Sequence, residues 1–160
     1  MNEQTCLPVR KKLDHRGPLS IDVRQAVYFV TIAAANRAGR PFLDAVDAIL
    51  EAARFYQANR RWFLSLLLVM PDHLHMLVHV PDGEGLSAVI GRWKQYLATQ
   101  RGVAFQSNYF DTRIRDNEHF AEKWNYICWN PVRRGLVEKP KDWPYVIAFD
   151  QSTGLERPHR

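Results

Sequence analysis

Four segments of the chain carry the apolar, β-branched and aromatic positions that are typical of β-strands. Residues 27–32 are rich in valine, isoleucine and aromatic side chains, and residues 62–69 form an almost continuous apolar run. In residues 73–80, the three histidines all fall on one side of the two-residue alternation that is typical of a strand. A shorter run covers residues 109–115. The pattern predicts four strands, of which the second is buried on both faces.

Two segments between these strands have apolar residues at helical spacing. The spacing predicts a helix over residues 45–57, capped by Asp44, because an aspartate can accept a hydrogen bond from the first turn. A second predicted helix covers residues 87–100 and ends at Gly102, because glycine adopts the left-handed geometry that stops a helix. Residues 36–41 are expected to form a loop.

A third helix is predicted after the last strand. It begins after Asp116, a second potential cap, and continues to about Trp129. Pro131 disfavours helical geometry at Asn130, so we expect the helix to end there. The segment after Gly135 is expected to be irregular.

The order strand, helix, strand, strand, helix, strand is the split βαβ pattern of the ferredoxin-like fold. The predicted fold class is therefore α+β: a ferredoxin-like βαββαβ antiparallel sheet with an additional C-terminal helix. The first two helices should cover one sheet face and leave the other for the third helix or a ligand. We expect an N-terminal arm over residues 1–25, one domain over 26–146 and a tail over 147–160.

Composition narrows the class of protein. The 160 residues are 46% hydrophobic and 24% charged, which is typical of a globular domain and excludes wholesale disorder. The longest apolar run is shorter than the roughly 20 residues that span a bilayer, and the first residues lack a secretory signal pattern. Cys6 and Cys128 alone cannot form a disulfide framework, so we expect a reducing, cytoplasmic setting and no membrane.

Positive charge permits a polyanionic partner. The balance of 22 basic and 17 acidic residues gives +5, and basic residues alternate with aromatic ones in the second half of the chain. Cations suit phosphates, while aromatic rings such as Trp93 or Tyr109 can stack on unpaired bases. The alternative, a solvated charged face above a core stripe, explains the composition equally well. The candidate DNA-binding residues are Arg92, Lys94, Arg113, Arg115, Arg133 and Arg134.

His73 and His75 form a candidate metal site. Side chains alternate along a strand, so the two imidazoles share the face opposite Leu74 and Met76, and that second pair must face the core. Imidazoles about 7 Å apart on a rigid strand can bind one metal ion. Exposed strand histidines also occur without any ligand, so the pair alone leaves the question open.

Tyr126 and Asn130 form a second candidate pair. Four residues apart on a helix, they lie one turn above each other on one face. A tyrosine hydroxyl can act as a nucleophile, and an amide oxygen is an acceptable ligand of Mg²⁺ or Mn²⁺. Tyr126 as a core aromatic and Asn130 as a cap of the turn at Pro131 are the structural alternatives.

These segments resemble a known family. The sequence MPDHLHMLV at 70–78 resembles the Met-Pro-x-His-x-His strand of the HUH single-tyrosine transposases, named after histidine, hydrophobic residue, histidine. The segments 110–116 and 126–137, and the sequence DWPY at 142–145, resemble the REP-associated tyrosine transposase branch. The similarity covers about residues 26–146. Asp72 stands where the family often has asparagine or glutamate.

The resemblance implies a role for each matching residue. His73 and His75 correspond to the metal ligands, Asn130 to the polar residue that completes the metal site, and Tyr126 to the nucleophile. The implied cofactor is Mg²⁺ or Mn²⁺. The family binds single-stranded DNA folded into hairpins near palindromic repeats. It cleaves one strand through a 5′-phosphotyrosine, releases a 3′-hydroxyl and rejoins strands by the reverse attack.

The implied function is a DNA transposase or endonuclease in the cytoplasm, associated with the nucleoid, whose partner is single-stranded or hairpin DNA. A homodimer is compatible with the resemblance. The alternative is a non-cleaving nucleic-acid-binding module derived from such a transposase. The sequence has no glycine-rich P-loop, no Cys-x-x-Cys pair and no Gly-x-Ser-x-Gly elbow, so those classes of site are excluded.

Overall fold

The structure is a computed structural model that describes residues 26–158; the expected N-terminal arm, 1–25, lies outside the described residues. Within the described residues, five strands and four helices follow one another. The strands are β1 (Val27–Ala33), β2 (Phe63–Val69), β3 (His73–His79), β4 (Phe110–Arg113) and β5 (Val146–Ala148). The helices are α1 (Pro41–Asp44), α2 (Val46–Ala58), α3 (Leu86–Arg101) and α4 (Asn117–Arg133), and a 3₁₀ turn covers Pro140–Asp142.

The strands form one antiparallel sheet in the order β4-β1-β3-β2-β5. Its first four strands with α2 and α3 make the βαββαβ unit, so the predicted fold class is confirmed. The fifth strand is an addition that the sequence did not indicate. It pairs with β2 through residues 66–68 and extends the sheet past residue 146, where the tail was expected to begin.

Each face of the sheet has its own apolar cluster. On one face, Leu74, Met76 and Val78 of β3 pack in the cluster that holds Trp93 of α3. On the other face, Leu77 packs in the cluster that holds residues of α4. The continuous apolar run of β2 follows from this arrangement, because that strand is buried on both sides.

Two of the predicted helix boundaries hold. Asp116 Oδ1 accepts a hydrogen bond from the His119 backbone N–H at 2.8 Å and so caps α4. Gly102 ends α3 with a φ of 67°, a conformation that glycine adopts at little cost.

The predicted end of α4 at Asn130 is wrong. The helix continues through Pro131 to Arg133, and Arg134 N–H closes its last turn on the Asn130 carbonyl at 3.1 Å. Pro131 has no backbone N–H to donate within the helix, but its ring is buried on the same helix face as Ile127 and Cys128. Tertiary packing therefore outweighs the local preference, and Asn130 lies inside the helix.

The predicted cap of α2 is also wrong. Asp44 belongs to the short helix α1, which begins at Pro41 in a segment where a loop was expected. Proline fits the first turn of a helix because the missing N–H would have no partner there. Helix α2 begins after Ala45 without a side-chain cap, and Asp44 instead pairs with Arg40 at 3.1 Å.

Candidate active site

Strand β3 presents His73 and His75 to the sheet face that α4 covers. Their exposed fractions are only 5% and 4%, yet both border a cavity of about 300 Å³, and the His75 ring also stacks on Phe29. The intervening Leu74 points to the opposite cluster, as the two-residue period requires. The cavity is lined by Thr31, Ala33, Arg37, His73, His75, Tyr126, Asn130, Arg133 and Arg134.

Helix α4 brings Tyr126 and Asn130 to the same cavity. Asn130 Nδ2 lies 2.7 Å from His75 Nε2 and is buried. Tyr126 is 43% exposed, and its ring centroid lies 5.6 Å from that of His75 in an edge-to-face arrangement. The structure therefore brings together the four residues singled out for chemistry. Their roles as metal ligands and nucleophile stay predictions.

Hydrogen bonds orient both imidazoles. His73 Nδ1 lies 2.7 Å from Asp72 Oδ1, and His75 Nδ1 lies 2.8 Å from Thr31 Oγ1. A carboxylate accepts from Nδ1–H, so His73 keeps its lone pair on Nε2. If His75 donates from Nδ1 to Thr31, its Nε2 can accept from the Asn130 amide, which satisfies both bonds. Each ring thus has its lone pair on Nε2, and that of His75 is engaged by the Asn130 amide.

The site favours neutral imidazoles. Burial, together with the nearby His73 and Arg133, lowers the pKa of His75 to about 3. Burial also lowers the pKa of His73, although the hydrogen bond to Asp72 opposes the shift. Burial by itself would raise the pKa of Asp72, but the hydrogen bonds from Arg37 and His73 outweigh burial and lower it to about 2. Neutral rings and a charged Asp72 follow at pH 7.

The donor set fits a divalent cation. Within residues 26–158 no group of three His, Cys, Asp or Glu side chains could hold a metal ion, so a third protein ligand must come from another residue type. The Asn130 amide is in place for this, since rotating it by half a turn exchanges the nitrogen near His75 for its oxygen. Two imidazole nitrogens and one amide oxygen suit Mn²⁺ better than Mg²⁺, which prefers oxygen ligands. The carboxylate on His73 Nδ1 is the usual support of a metal-binding histidine.

Cations surround Tyr126. The Arg133 guanidinium carbon lies 4.5 Å from the Tyr126 ring centroid, and Lys123 Nζ lies 5.7 Å from it. Arg133 also donates a hydrogen bond to the Tyr126 backbone carbonyl. Arg37 and Arg134 border the same cavity. A phosphate that entered the cavity would therefore meet positive charge on several sides.

Comparison with known proteins gives the chain its relatives, although no family model matches it. A protein of Haemophilus influenzae provisionally named REP-associated tyrosine transposase is 26% identical over 136 residues, which cover 74% of this chain and 77% of that protein. The REP-associated tyrosine transposase of Escherichia coli is 23% identical over 139 residues and covers 83% of each chain. The chain is similar in sequence to the REP-associated tyrosine transposases.

The fold agrees with this relationship. A solved REP-associated tyrosine transposase, described as bound to a REP hairpin, superposes with a TM-score of 0.69 at 22% identity. The match covers 79% of this chain and 78% of that one. Within residues 26–158, no helix is both long enough and apolar enough to cross a membrane.

The six predicted DNA-binding residues do not form one surface. Arg133 and Arg134 border the cavity. Arg92 and Lys94 lie on α3, which packs against the opposite sheet face through neighbours such as Trp93. Arg92 pairs with Glu84 at 2.6 Å, and Lys94 donates to the carbonyls of Gln106 and Ser107 at 2.7 and 3.1 Å. Arg113, on β4, and Arg115 lie outside the cavity lining.

The two aromatic residues proposed for base stacking make contacts within the protein instead. Trp93 is fully buried in the first apolar cluster, so that expectation is wrong. Its spacing with Ile90 and Leu97 makes the stripe that α3 turns to the sheet. Tyr109 packs against the same cluster, and its hydroxyl lies 2.9 Å from Ser87 Oγ.

Sequence reasoning missed three residues around the histidines. Thr31 pairs directly with His75 across β1 and β3, so the register of that pair was the signal that would have found it. Asp72 was noted only as a departure from the family pattern, yet it supports His73. Arg37 Nε donates to Asp72 Oδ2 at 2.8 Å from the loop after β1. No local pattern in the sequence indicated Arg37.

Proposed function

We propose that this protein cleaves and rejoins single strands of hairpin DNA, with Tyr126 as the nucleophile. The observation that carries the proposal is the cavity that Tyr126 shares with His73, His75 and Asn130, under a rim of arginines. A hydrolase that activates water would not need a tyrosine at this place, whereas a phosphate transfer to the protein does.

The proposed reaction is a transesterification. The Tyr126 oxygen attacks the phosphorus of a phosphodiester and gives up its proton to water, while the bond between phosphorus and the 3′ oxygen breaks. The 3′ oxygen takes up a proton and leaves as a 3′-hydroxyl, and the 5′ side stays linked to Tyr126. One ester bond replaces another, so the step needs no nucleotide cofactor. The reverse attack by a 3′-hydroxyl rejoins the strand.

The surrounding residues contribute position and charge. His73, His75 and Asn130 would hold Mn²⁺ or Mg²⁺, which supplies polarisation of the phosphate when it is bound. Arg133 packs on the Tyr126 ring and donates a hydrogen bond to the Tyr126 backbone carbonyl. These contacts limit the positions that the tyrosine side chain can adopt. Arg134 and Arg37 would offset the charge of the phosphate oxygens.

The comparison with solved structures supports a substrate class. The solved relative is described as bound to a REP hairpin, and we propose hairpin DNA with unpaired flanks for this chain as well. Such a substrate lies in the cytoplasm with the nucleoid. A homodimer as the active form stays a prediction.

A cleavage assay tests the proposal. Labelled stem-loop DNA with unpaired flanks is incubated with the protein and Mn²⁺, and denaturing gels show whether a strand is cut. We expect cleavage by the parent protein and none by Tyr126→Phe, which keeps the ring and its packing, with binding changed by no more than a few fold. Binding without cleavage by the parent protein would favour the non-cleaving module instead.

A further inference from the structure

The edge strand β4 presents an exposed aromatic ring beside the candidate active site. Phe110 is 62% exposed and lies on a strand whose only sheet neighbour within residues 26–158 is β1. A single exposed apolar side chain is ordinary on a protein surface and by itself indicates nothing. The position of Phe110 relative to His75 is what gives this ring significance.

Strand register places Phe110 on the active-site face. Thr31 of β1 pairs with His75 of β3 on one side and with Phe110 of β4 on the other. Residues that are directly opposite in antiparallel strands point to the same sheet face. The hydrogen bond between Thr31 Oγ1 and His75 Nδ1 fixes that face as the one bearing the cavity. Phe110 is therefore two strand spacings, about 10 Å, from His75.

The charges around this edge match a nucleic acid. In the next cross-strand row, Phe29 is opposite Thr112 of β4, and Lys123 Nζ lies 5.0 Å from the Phe29 ring centroid. Arg133 and Arg134 border the cavity on the other side of Tyr126. An exposed ring on the same sheet face as these cations suits unpaired bases, because the ring can stack on a base while the cations hold the backbone phosphates.

We propose that Phe110 is a stacking platform for an unpaired nucleobase next to the phosphate that enters the cavity. This inference rests on the proposed function and deepens it, because it assigns the position of the unpaired flank of the DNA. The flank passes over the β4 edge, with one base on Phe110 and the adjoining backbone near Lys123. The ring reads no base edge, so the site holds any base by its flat face.

Binding of two probes tests the inference. One probe is a labelled stem-loop with unpaired thymidine flanks, and the other is the same stem-loop without flanks. Affinity is measured by fluorescence anisotropy in EDTA, so that cleavage does not interfere. We expect Phe110→Ala to weaken binding of the flanked probe about tenfold or more and to leave the flankless probe unchanged. Phe110→Trp should restore the affinity, because it restores a stacking surface.

Phe55→Ala is the matched control. Phe55 is also an exposed phenylalanine, but it lies on α2, whose buried residues belong to the opposite cluster. Its loss should leave both affinities unchanged. Equal binding of the flanked probe by Phe110→Ala and the parent protein would overturn the inference, as would a change in oligomeric state in place of a change in flank affinity.

The assay also separates this inference from the proposed function. If the parent protein cleaves DNA but Phe110→Ala keeps full affinity for the flank, only the stacking site fails. If the parent protein binds neither probe, both fail. If the affinity for the flanked probe depends on Phe110 but no strand is cut in Mn²⁺, the stacking site stands and the cleavage function fails.

Discussion

The side-chain amide of Asn130 lies 2.7 Å from Nε2 of His75, although 55 residues separate them in the chain. The contact joins α4 to the centre of the sheet, and Asn130 makes it from inside the helix, which continues through Pro131. Asn130 is one of the few buried polar residues, which are costly unless they are hydrogen-bonded. Helix α4 and strand β3 therefore meet in a polar contact at the border of the cavity.

Removing the amide should weaken metal binding. Asn130→Ala deletes the third proposed ligand and leaves His73 and His75 in place. We expect at least a tenfold loss of Mn²⁺ affinity in isothermal titration calorimetry, because fewer ligands hold the ion. Asn36→Ala, in the loop after β1, is a control that should not change the affinity. Unchanged binding by Asn130→Ala would show that Asn130 is only a structural contact.

Asp72 should tune the same site through His73. Asp72→Asn keeps the size of the side chain but replaces the charged acceptor on His73 Nδ1. Loss of such a supporting carboxylate typically costs 10- to 100-fold in metal affinity. We expect a loss in that range, measured by calorimetry with Mn²⁺. Asp44→Asn, which breaks only the exposed pair with Arg40, serves as the control. Equal losses in the two variants would contradict a special role for Asp72.

The charged rim should set the salt dependence of DNA binding. Arg134→Ala removes a cation that borders the cavity, and the slope of log K against log salt should become shallower by about 0.7 for a single-stranded contact. Arg92→Ala should change neither affinity nor slope, because Arg92 is paired with Glu84 on the opposite side of the sheet. A larger effect from Arg92→Ala than from Arg134→Ala would show that the DNA binds the opposite face of the sheet.

Docking of α4 should depend on its buried face. Ile127 is fully buried in the second apolar cluster and lies between Tyr126 and Asn130 on α4. Ile127→Ala should lower the free energy of unfolding by about 2–5 kcal/mol in urea titrations. The exposed Glu122→Ala on the same helix should change it by less than about 0.5 kcal/mol. Similar effects from both changes would contradict the packing described here.

The placement of the histidines could be predicted because a strand has a strict two-residue period. Once Leu74 and Met76 face the core, His73 and His75 must face away from it. The one-turn stacking of Tyr126 and Asn130 followed from helical geometry in the same way. Local patterns of this kind carry over to the structure because they depend on few neighbours.

The features that the sequence did not reveal depend on distant contacts. Strand β5 has only three residues and owes its existence to pairing with β2. Pro131 stays in the helix because packing of α4 against the sheet outweighs its local preference. Arg37 reaches the site from a loop through its ion pair with Asp72. Each of these features follows from tertiary structure, which a single sequence shows only indirectly.

Peptide mapping can show whether Tyr126 forms the proposed covalent bond with DNA. The protein is incubated with stem-loop DNA and Mn²⁺, the denaturant-resistant adduct is digested with protease and nuclease, and the modified peptide is sequenced by mass spectrometry. We expect a nucleotide remnant attached through its 5′ phosphate to Tyr126. An adduct on another residue, or strand cleavage that leaves no adduct on the protein, would contradict it.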